Sequence, residues 1–337
     1  MKIITQAPTR IGLIGGGTDL NPFASEFGGK ILSFAINLRH SVILEPLKGS
    51  KMYLESLEVK TTKDLSKKIV YGVEKKLDLL YAIINYFKPL IPSGFRLEAK
   101  LDGENFGGLG SSGAAAVSII GAFSKWLKRD LSRMEMAYLA WRIEVDELGW
   151  ICGKQDQLAA AFGGINLLTF GAKDSAGVIP LSLSNELIEK IKKWTVLFNI
   201  GGNRHSTNMQ KNLTKGMIQN DKIKALIDLR ENVDETVIAL KNQDFLTVGK
   251  LLDKSWELKK KSNPAIAGSR INNLYSLAKK TGVLGGKMMG AGAGGHMFFF
   301  CPPELQDKLV NKLAMQECKL INFKFDFEGL KVRKINA

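Results

Sequence analysis

Length, composition and charge limit what this chain can be. Its 337 residues are 45% hydrophobic and 24% charged, which indicates folded domains, about two of them at this length. No apolar run approaches the roughly 18 residues of a membrane span. The first six residues turn polar too soon for a signal peptide. We therefore expect a cytoplasmic protein with no membrane partner.

The excess of basic residues suits anionic partners without identifying them. There are 48 Lys and Arg against 33 Asp and Glu, a formal net charge of +15. The lysines are dispersed, as in Lys192-Lys193 and Lys259-Lys260-Lys261, and no basic tract is interleaved with aromatic residues. This pattern favours a lysine-rich solvated surface over a nucleic-acid patch, so we expect no nucleic-acid partner.

The three cysteines, Cys152, Cys301 and Cys318, have neither paired spacing nor neighbouring histidines. This spacing argues against disulfides and against a zinc site. We expect three reduced, buried thiols.

The first half of the chain mixes strand and helix patterns. Alternating or β-branched runs predict strands over 3–6, 31–38, 42–47, 52–55, 95–101 and 165–170. Helical spacing predicts helices over 71–87, 114–126 and 155–162. Another helix is expected between the capping box of Ser132 and Glu135 and the terminator Gly149.

A polar stretch over 174–185 predicts the boundary between two domains, 1–180 and 181–337. Beyond it we expect a strand over 196–200, helices over 216–240 and 245–261, and a break at Ser262-Asn263-Pro264. A helix capped by Ser269 and ended by Gly282, a strand over 296–300, a helix and two terminal strands follow. Because strands and helices do not alternate strictly, the fold class is α+β and not a doubly wound sheet.

The most informative segment is a glycine-rich loop followed at once by an apolar helical run. Its residues are Gly107-Gly108-Leu109-Gly110-Ser111-Ser112-Gly113. Glycines let the backbone approach a ligand, and the helix that follows directs its unpaired N–H groups and positive dipole end at it. The segment therefore predicts a phosphate-binding loop.

Two further glycine clusters lie at 15–17 and 285–295. A single cluster is better explained by a tight turn, but three together indicate a ligand site. The central loop lacks the Lys-Ser/Thr of a Walker loop, and no strand-loop-helix carries Gly-x-Gly-x-x-Gly spacing. A P-loop ATPase and a dehydrogenase are thus disfavoured.

Three segments, in this order, resemble the motifs of the GHMP kinases, the family of galactokinase, homoserine kinase, mevalonate kinase and phosphomevalonate kinase. The segments are Ala7-Pro8-Thr9-Arg10-Ile11-Gly12-Leu13-Ile14-Gly15-Gly16-Gly17-Thr18-Asp19, Gly108-Leu109-Gly110-Ser111-Ser112 and Lys287-Met288-Met289-Gly290-Ala291-Gly292-Ala293-Gly294-Gly295. The resemblance implies a ribosomal protein S5 domain 2-like N-terminal domain and a ferredoxin-like α+β C-terminal domain. It also implies ATP and Mg²⁺ as cofactors.

The resemblance also implies roles for individual residues. The central loop, from Gly107 to Gly113, would hold the ATP phosphates, and Ser112 and Glu144 would bind Mg²⁺. Asp156 would orient or deprotonate the acceptor hydroxyl, while Arg10 would neutralise charge on the transferred group. For an isolated Glu144 a surface charge is the favoured interpretation, whereas the glycine-rich surroundings of Asp156 favour a site.

The acceptor is expected to be a sugar. Thr18 and Asp19 keep part of the galactokinase pattern, but glycines replace its glutamate and histidine, which puts galactose in doubt. The chain is most similar to kinases that phosphorylate the C1 hydroxyl of D-glycero-D-manno-heptose 7-phosphate, for polysaccharide biosynthesis. The residues expected to bind this sugar phosphate are Gly17, Thr18, Asp19, Lys30, Arg204 and Gly292.

Arg204 would be the main phosphate ligand, although an exposed loop arginine explains it equally well. The alternatives are a kinase for an unphosphorylated sugar such as fucose or galactose, or a catalytically silent sugar and ATP sensor. A homodimer is possible.

Overall fold

The computed structural model describes residues 1–56, 59–101, 107–202, 220–290, 292 and 294–335. Arg204, the predicted phosphate ligand, lies outside these residues. No described helix is both long and apolar enough to cross a membrane.

The described strands are numbered in chain order. They are β1 (Lys2–Ile14), β2 (Gly29–Pro46), β3 (Lys51–Ser56), β4 (Val59–Asp64), β5 (Phe95–Leu101), β6 (Ile165–Phe170), β7 (Ala176–Pro180), β8 (Thr195–Gly201), β9 (Gly285–Met288), β10 (Gly295–Phe300), β11 (Lys319–Leu320) and β12 (Lys331–Ile335).

The described α-helices are numbered in the same way. They are α1 (Phe23–Phe27), α2 (Asp78–Phe87), α3 (Ser111–Trp126), α4 (Arg133–Arg142), α5 (Gln155–Phe162), α6 (Asn185–Lys193), α7 (Asn220–Lys241), α8 (Phe245–Ser262), α9 (Ser269–Lys280) and α10 (Gln306–Ala314). A π-helical turn, Ile143–Glu147, continues α4.

A first sheet contains strand β1, whose residues Arg10 and Gly12 line the cavity described below. Its order is β12-β1-β2-β5-β3-β4, with β6 paired to β2 and β7 paired to β6. The long strand β2 bonds β5 through residues 40–46 and β6 through residues 29–34. Helices α2 and α3 cover one face, where Phe95, Leu97 and Phe123 are buried. Burial of this apolar face stabilises the layer.

A second, antiparallel sheet has the order β11-β8-β10-β9. Successive side chains of a strand point to opposite faces, so the side chains of β10 are buried in two hydrophobic cores. Phe298 and Phe300 pack with Val248 of α8, while Met297 and Phe299 pack in a second cluster with Leu274 of α9. Helices therefore cover both faces of this sheet, and the predicted α+β class is confirmed.

Several local predictions are corrected. The expected break inside β2 is absent, because Arg39 is buried in an ion pair with Asp326 and His40 is bonded to Ser111. The polar stretch over 174–185 contains β7. Helix α2 starts at Asp78, seven residues later than expected at 71. Ser269 begins α9 but does not cap it, since the N-cap is Gly268.

Other features match. The capping box of Ser132 and Glu135 forms, and α8 ends at Ser262 with Asn263 as its C-cap. Strand β12, placed by sequence in the second domain, pairs with β1 of the first sheet. The boundary between residues 180 and 181 remains a prediction.

Candidate active site

A cavity of about 410 Å³ lies where the end of β1, the start of α3, the π-helical turn, α5, α8 and β9 meet. Sites for small molecules are typically concave and have a few convergent polar groups. The described residues that line it include Arg10, Asp19, Ser112, Glu144 and Asp156. The cavity therefore brings together the predicted catalytic and metal-binding side chains.

The predicted phosphate loop forms one edge of the cavity. Gly110 has φ +79 and precedes the first residue of α3, so the helix N-terminus opens beside the cavity. The backbone angle at Gly110 favours glycine, and an added Cβ would lie 3.0 Å from Cγ of Asp156, a tight contact. Gly108, Gly110, Ser111 and Ser112 line the cavity.

The other members of the loop hold it in place. The backbone N–H of Arg10 donates to the carbonyl of Leu109, whose side chain is buried. Oγ of Ser111 lies 2.7 Å from Nε2 of His40. The carbonyl of Gly107 lies 2.8 Å from Nδ1 of His296, and Gly113 packs against α5. The loop is thus anchored to β1, β2, β10 and α5.

Arg10 connects this loop to Asp156. Its guanidinium reaches Oδ1 of Asp156 through Nε at 2.7 Å and Nη2 at 2.6 Å, and Nη1 donates to the carbonyl of Gly108 at 2.6 Å. Arg10 is buried, while the Asp156 side chain stays 27% exposed at the start of α5. Charge-assisted contacts of this length fix both groups. The carboxylate is thereby held beside the phosphate loop with one face open to the cavity.

Asp19 is the second carboxylate of the cavity. Its Oδ2 accepts a long hydrogen bond, 3.4 Å, from the backbone N–H of Gln155. A Cβ at Gly153 would lie 1.9 Å from this oxygen, so only glycine fits there. Burial, and then the negative charge of Asp156, raise the pKa of Asp19.

Glu144 is the third carboxylate, and it lies on the π-helical turn after α4. Such turns often occur at functional sites. The side chain is buried, and its Oε2 accepts from Nε2 of Gln157. Its Oε1 has no hydrogen-bond partner among the described residues. Burial raises the pKa of Glu144 to about 7, and the neighbouring Ser112 hydroxyl opposes that rise. The reading of Glu144 as a surface charge is therefore wrong.

We call Asp19, Glu144 and Asp156 the acidic wall of the cavity, and Lys259 and Lys287 the lysine pair. The lysine pair lines the cavity and is buried. From the sequence, Lys259 was expected on the solvated surface, and its burial shows that this prediction is wrong. Lys287 was given no role. A usable signal existed, because Lys259 continues the buried stripe of Val248, Leu252 and Ser255 on α8.

The predicted sugar-binding residues are only partly brought together. Gly17 lines the cavity with Asp19. The hydroxyl of Thr18 is buried and donates to the carbonyls of Gly15 and Lys30. The ammonium of Lys30 pairs with Asp234 at 2.5 Å and is absent from the lining, and Gly292 packs against Ile266.

The described cysteines are free, as expected. Cys301 and Cys318 are buried, but Cys152 is only partly so and lines the cavity. Its thiol donates to Oε2 of Glu144 at 3.7 Å. The expectation of three buried thiols is wrong at this position.

A glycine loop at a helix N-terminus, facing an arginine-bound carboxylate and a second buried carboxylate, is the arrangement of a phosphoryl-transfer site. Comparison with known proteins agrees. Residues 78–164 match the family described as GHMP kinases N terminal domain, and residues 236–317 match GHMP kinases C terminal.

Individual relatives extend this match. The D-glycero-alpha-D-manno-heptose 7-phosphate kinase of Campylobacter jejuni subsp. jejuni serotype O:2 is 33% identical, over 99% of this chain and 100% of the relative. A galactokinase of Thermotoga petrophila is 26% identical over 88% of this chain and 87% of the relative. The crystal structure of a D-glycero-D-manno-heptose 1-phosphate kinase from Bacteriodes thetaiotaomicron superposes with a TM-score of 0.82 at 26% identity, covering 99% of this chain and 100% of that one.

This chain belongs to the GHMP kinase family. The predicted family, its two-domain fold and the class of enzyme, an ATP-dependent phosphotransferase with an alcohol group as acceptor, are confirmed.

Proposed function

We propose that this enzyme transfers the γ-phosphoryl group of ATP to the anomeric C1 hydroxyl of D-glycero-D-manno-heptose 7-phosphate. The product would be the heptose 1,7-bisphosphate, a precursor of nucleotide-activated heptose for surface polysaccharide. The observation that carries the chemistry is the Arg10–Asp156 pair held against the phosphate loop. The sugar assignment is supported by the heptose 7-phosphate kinase that matches nearly the whole chain.

The loop and the N-terminus of α3 hold the ATP phosphates in this proposal. Gly108, Gly110, Ser111 and Ser112 offer backbone N–H groups and hydroxyls on the cavity side. Phosphoryl transfer depends mainly on positioning and charge neutralisation. Because α3 begins within this loop, its dipole favours the negative charge of the phosphates.

Ser112 and Glu144 are the residues that would hold Mg²⁺. The unpaired, buried Oε1 of Glu144 and the neighbouring Ser112 hydroxyl are the hard oxygen ligands that this ion prefers. Among the described residues, no group of three or more His, Cys, Asp or Glu forms a metal site alone. The fit is therefore to an ion that shares its coordination with nucleotide phosphates and water, and that neutralises their charge.

Asp156 acts on the acceptor. It accepts the proton of the sugar hydroxyl as that oxygen attacks the γ-phosphorus, and the bond to the β,γ-bridging oxygen breaks to release ADP. Arg10 fixes the carboxylate through Oδ1 and keeps it close to the loop. Asp19 accepts hydrogen bonds from other hydroxyls of the sugar, which orients the ring.

The remaining site residues predicted from the sequence are still predictions. Arg204, Gly17, Thr18 and Gly292 are proposed substrate contacts beside Asp19, and Gly17 and Asp19 are the two that line the cavity. Lys30 was predicted as a contact too, but its ammonium is paired with Asp234 and does not line the cavity, so we do not include it in the proposal. The homodimer, the cytoplasmic location and the domain boundary also remain predictions.

ATP consumption across a panel of sugars tests the assignment. The panel contains the heptose, its 7-phosphate, its 1-phosphate, fucose and galactose, since the names of two relatives place the phosphate on different carbons. We expect kcat/KM to be highest for the 7-phosphate. Highest kcat/KM for another member would overturn the assignment.

A second candidate is a kinase for an unphosphorylated sugar. The similarity to a galactokinase and the position of Asp19 in the cavity support it. In that case ATP consumption would be fastest with fucose or galactose and would be blocked by a phosphate on the sugar.

A further inference from the structure

Two lysines, Lys259 and Lys287, line the same cavity as the acidic wall. Lys259 projects from α8 and donates to the carbonyl of Gly290 at 3.3 Å, and Lys287 projects from β9 and donates to the carbonyl of Gly12 at 2.7 Å. Both side chains are buried. An ammonium has three donors, so each keeps donor capacity after its bond to a carbonyl.

Among the described residues neither ammonium forms an ion pair with a carboxylate. Burial and the positive charge of Arg10 lower the pKa of Lys259 to about 8, opposed by Asp19 and Asp156. Burial, Lys259 and Arg10 hold the pKa of Lys287 well below its usual range. Buried like charges are unfavourable unless a counter-charge binds.

The lysine pair lies between the phosphate loop and the segment that carries Asp19. A Cβ at Gly290 would lie 2.6 Å from Cα of Gly108, which places the carbonyl partner of Lys259 beside the loop. A Cβ at Gly16 would lie 3.5 Å from the ammonium of Lys259 and 3.6 Å from that of Lys287. Both ammonium groups therefore face the same point of the cavity, next to Gly16.

We propose that Lys259 and Lys287 together form a phosphate-binding subsite of the cavity. The proposal rests on the kinase function above and names a further part of the same site. Two phosphates share the required chemistry: the phosphoryl group during its transfer, and the phosphate that the acceptor already carries. The lysine pair supplies the positive charge that a Walker lysine supplies in other phosphate-binding loops.

The substitutions Lys259→Met and Lys287→Met test the subsite. Methionine retains an unbranched apolar side chain and removes the buried charge, so the fold should persist. The kcat and the KM for ATP and for the acceptor are measured for each variant. Lys261→Met is the matched control, because Lys261 is exposed two residues further along α8, and it should behave as the unsubstituted enzyme.

The two sources of phosphate give different results. If the pair holds the group in transfer, kcat falls about 10²- to 10³-fold with little change in acceptor KM. If it holds the phosphate of the acceptor, the acceptor KM rises roughly 10- to 100-fold and kcat is retained. Either result supports the subsite. Folded variants that keep kcat and acceptor KM within about twofold would overturn it, whatever their KM for ATP.

Gly16→Ala provides a second test that keeps both lysines. The backbone of Gly16 is not in the left-handed region, and the added methyl group would make ordinary van der Waals contact with both ammonium groups. We expect it to reduce kcat or raise acceptor KM in the same direction as the methionine variants. Unchanged kinetics in Gly16→Ala would contradict the placement of the phosphate against this face.

The same assay separates failure of the subsite from failure of the proposed function. The unsubstituted enzyme is first run on the sugar panel, and the variants are compared on the sugar it phosphorylates best. If that sugar carries no phosphate, the heptose assignment is wrong, and the lysine pair is tested through kcat alone. If the 7-phosphate is best and the variants are unaffected, the subsite is wrong and the function stands.

Discussion

The two sides of the cavity hold their charged groups in different ways. On one side Asp156 already has its counter-charge, with two guanidinium contacts of 2.6 and 2.7 Å from Arg10. On the other, Lys259 and Lys287 donate to one backbone carbonyl each. The first side is organised before substrate arrives, which suits the acid–base role proposed for Asp156. The second has two buried amino groups with no carboxylate in an ion pair among the described residues, which suits a site that is completed by an anion.

The largest expected effect is on the organised side. Asp156→Asn should lower kcat by about 10²- to 10⁴-fold, because an amide cannot accept the proton of the acceptor hydroxyl. Its amide oxygen can still accept from Arg10, so the variant should fold. Steady-state kinetics with saturating ATP measure the loss. Asp146→Asn, at an exposed aspartate of the π-helical turn, is the control. If folded Asp156→Asn turned over nearly as fast as the unsubstituted enzyme, Asp156 would not be the base.

Glu144→Gln tests the metal site at the end of the acidic wall. We expect the Mg²⁺ concentration for half-maximal turnover to rise about tenfold or more, since a ligand is weakened. Chelation of the metal should abolish turnover of the unsubstituted enzyme. Because burial raises the pKa of Glu144 to about 7, the metal-free variant should melt no lower than the unsubstituted enzyme at pH 8. An unchanged Mg²⁺ requirement would show that Glu144 is not a ligand.

His40 tests how the loop is anchored beneath the organised side. Burial lowers the pKa of His40 from its usual 6.5 to about 4. A group with a depressed folded pKa destabilises the fold as pH falls from about 6.5 to about 4, by about 3 kcal/mol in total. The difference in unfolding free energy between the unsubstituted enzyme and His40→Gln should show this slope. Other titrations, including that of Glu144, act in both proteins and cancel. A flat difference would contradict the burial of a neutral His40.

The smallest expected effect is at Lys30, outside both sides of the cavity. Its ion pair with Asp234 is partly exposed, so Lys30→Met should change the unfolding free energy by less than about 1 kcal/mol. Acceptor KM should stay within about twofold. A tenfold rise in acceptor KM would instead restore Lys30 to the substrate contacts that the sequence predicted.

The side of the cavity with Arg10 and Asp156 could be predicted from the sequence, whereas the lysine pair could not. Arg10, Ser112 and Asp156 lie within or beside glycine-rich segments, and such segments indicate that the backbone approaches a ligand closely. Lys259 stands in a run of three lysines that reads as solvated surface, and only the orientation of α8 turns it inward. The periodicity of that helix contained the signal, but the charge of the run outweighed it.

The fold shows the same limit. The predicted strands of the first sheet follow from alternating residues, as in β5, where Phe95, Leu97 and Ala99 point inward. The continuity of β2 could not be predicted in this way, because Arg39 and His40 are polar, and their burial involves partners far along the chain, Asp326 and Ser111. The pairing of β12 with β1 could not be predicted either, since pairing between distant segments leaves little local sequence pattern.

The most direct test of the central claim is the position of the new phosphate. The enzyme is incubated with Mg²⁺, ATP and D-glycero-D-manno-heptose 7-phosphate, and the product is examined by phosphorus–proton correlation NMR. We expect a second phosphate monoester coupled to the anomeric proton, with the 7-phosphate signal retained. A new phosphate coupled to any other proton, or no product from this sugar while a free sugar is phosphorylated, would contradict it.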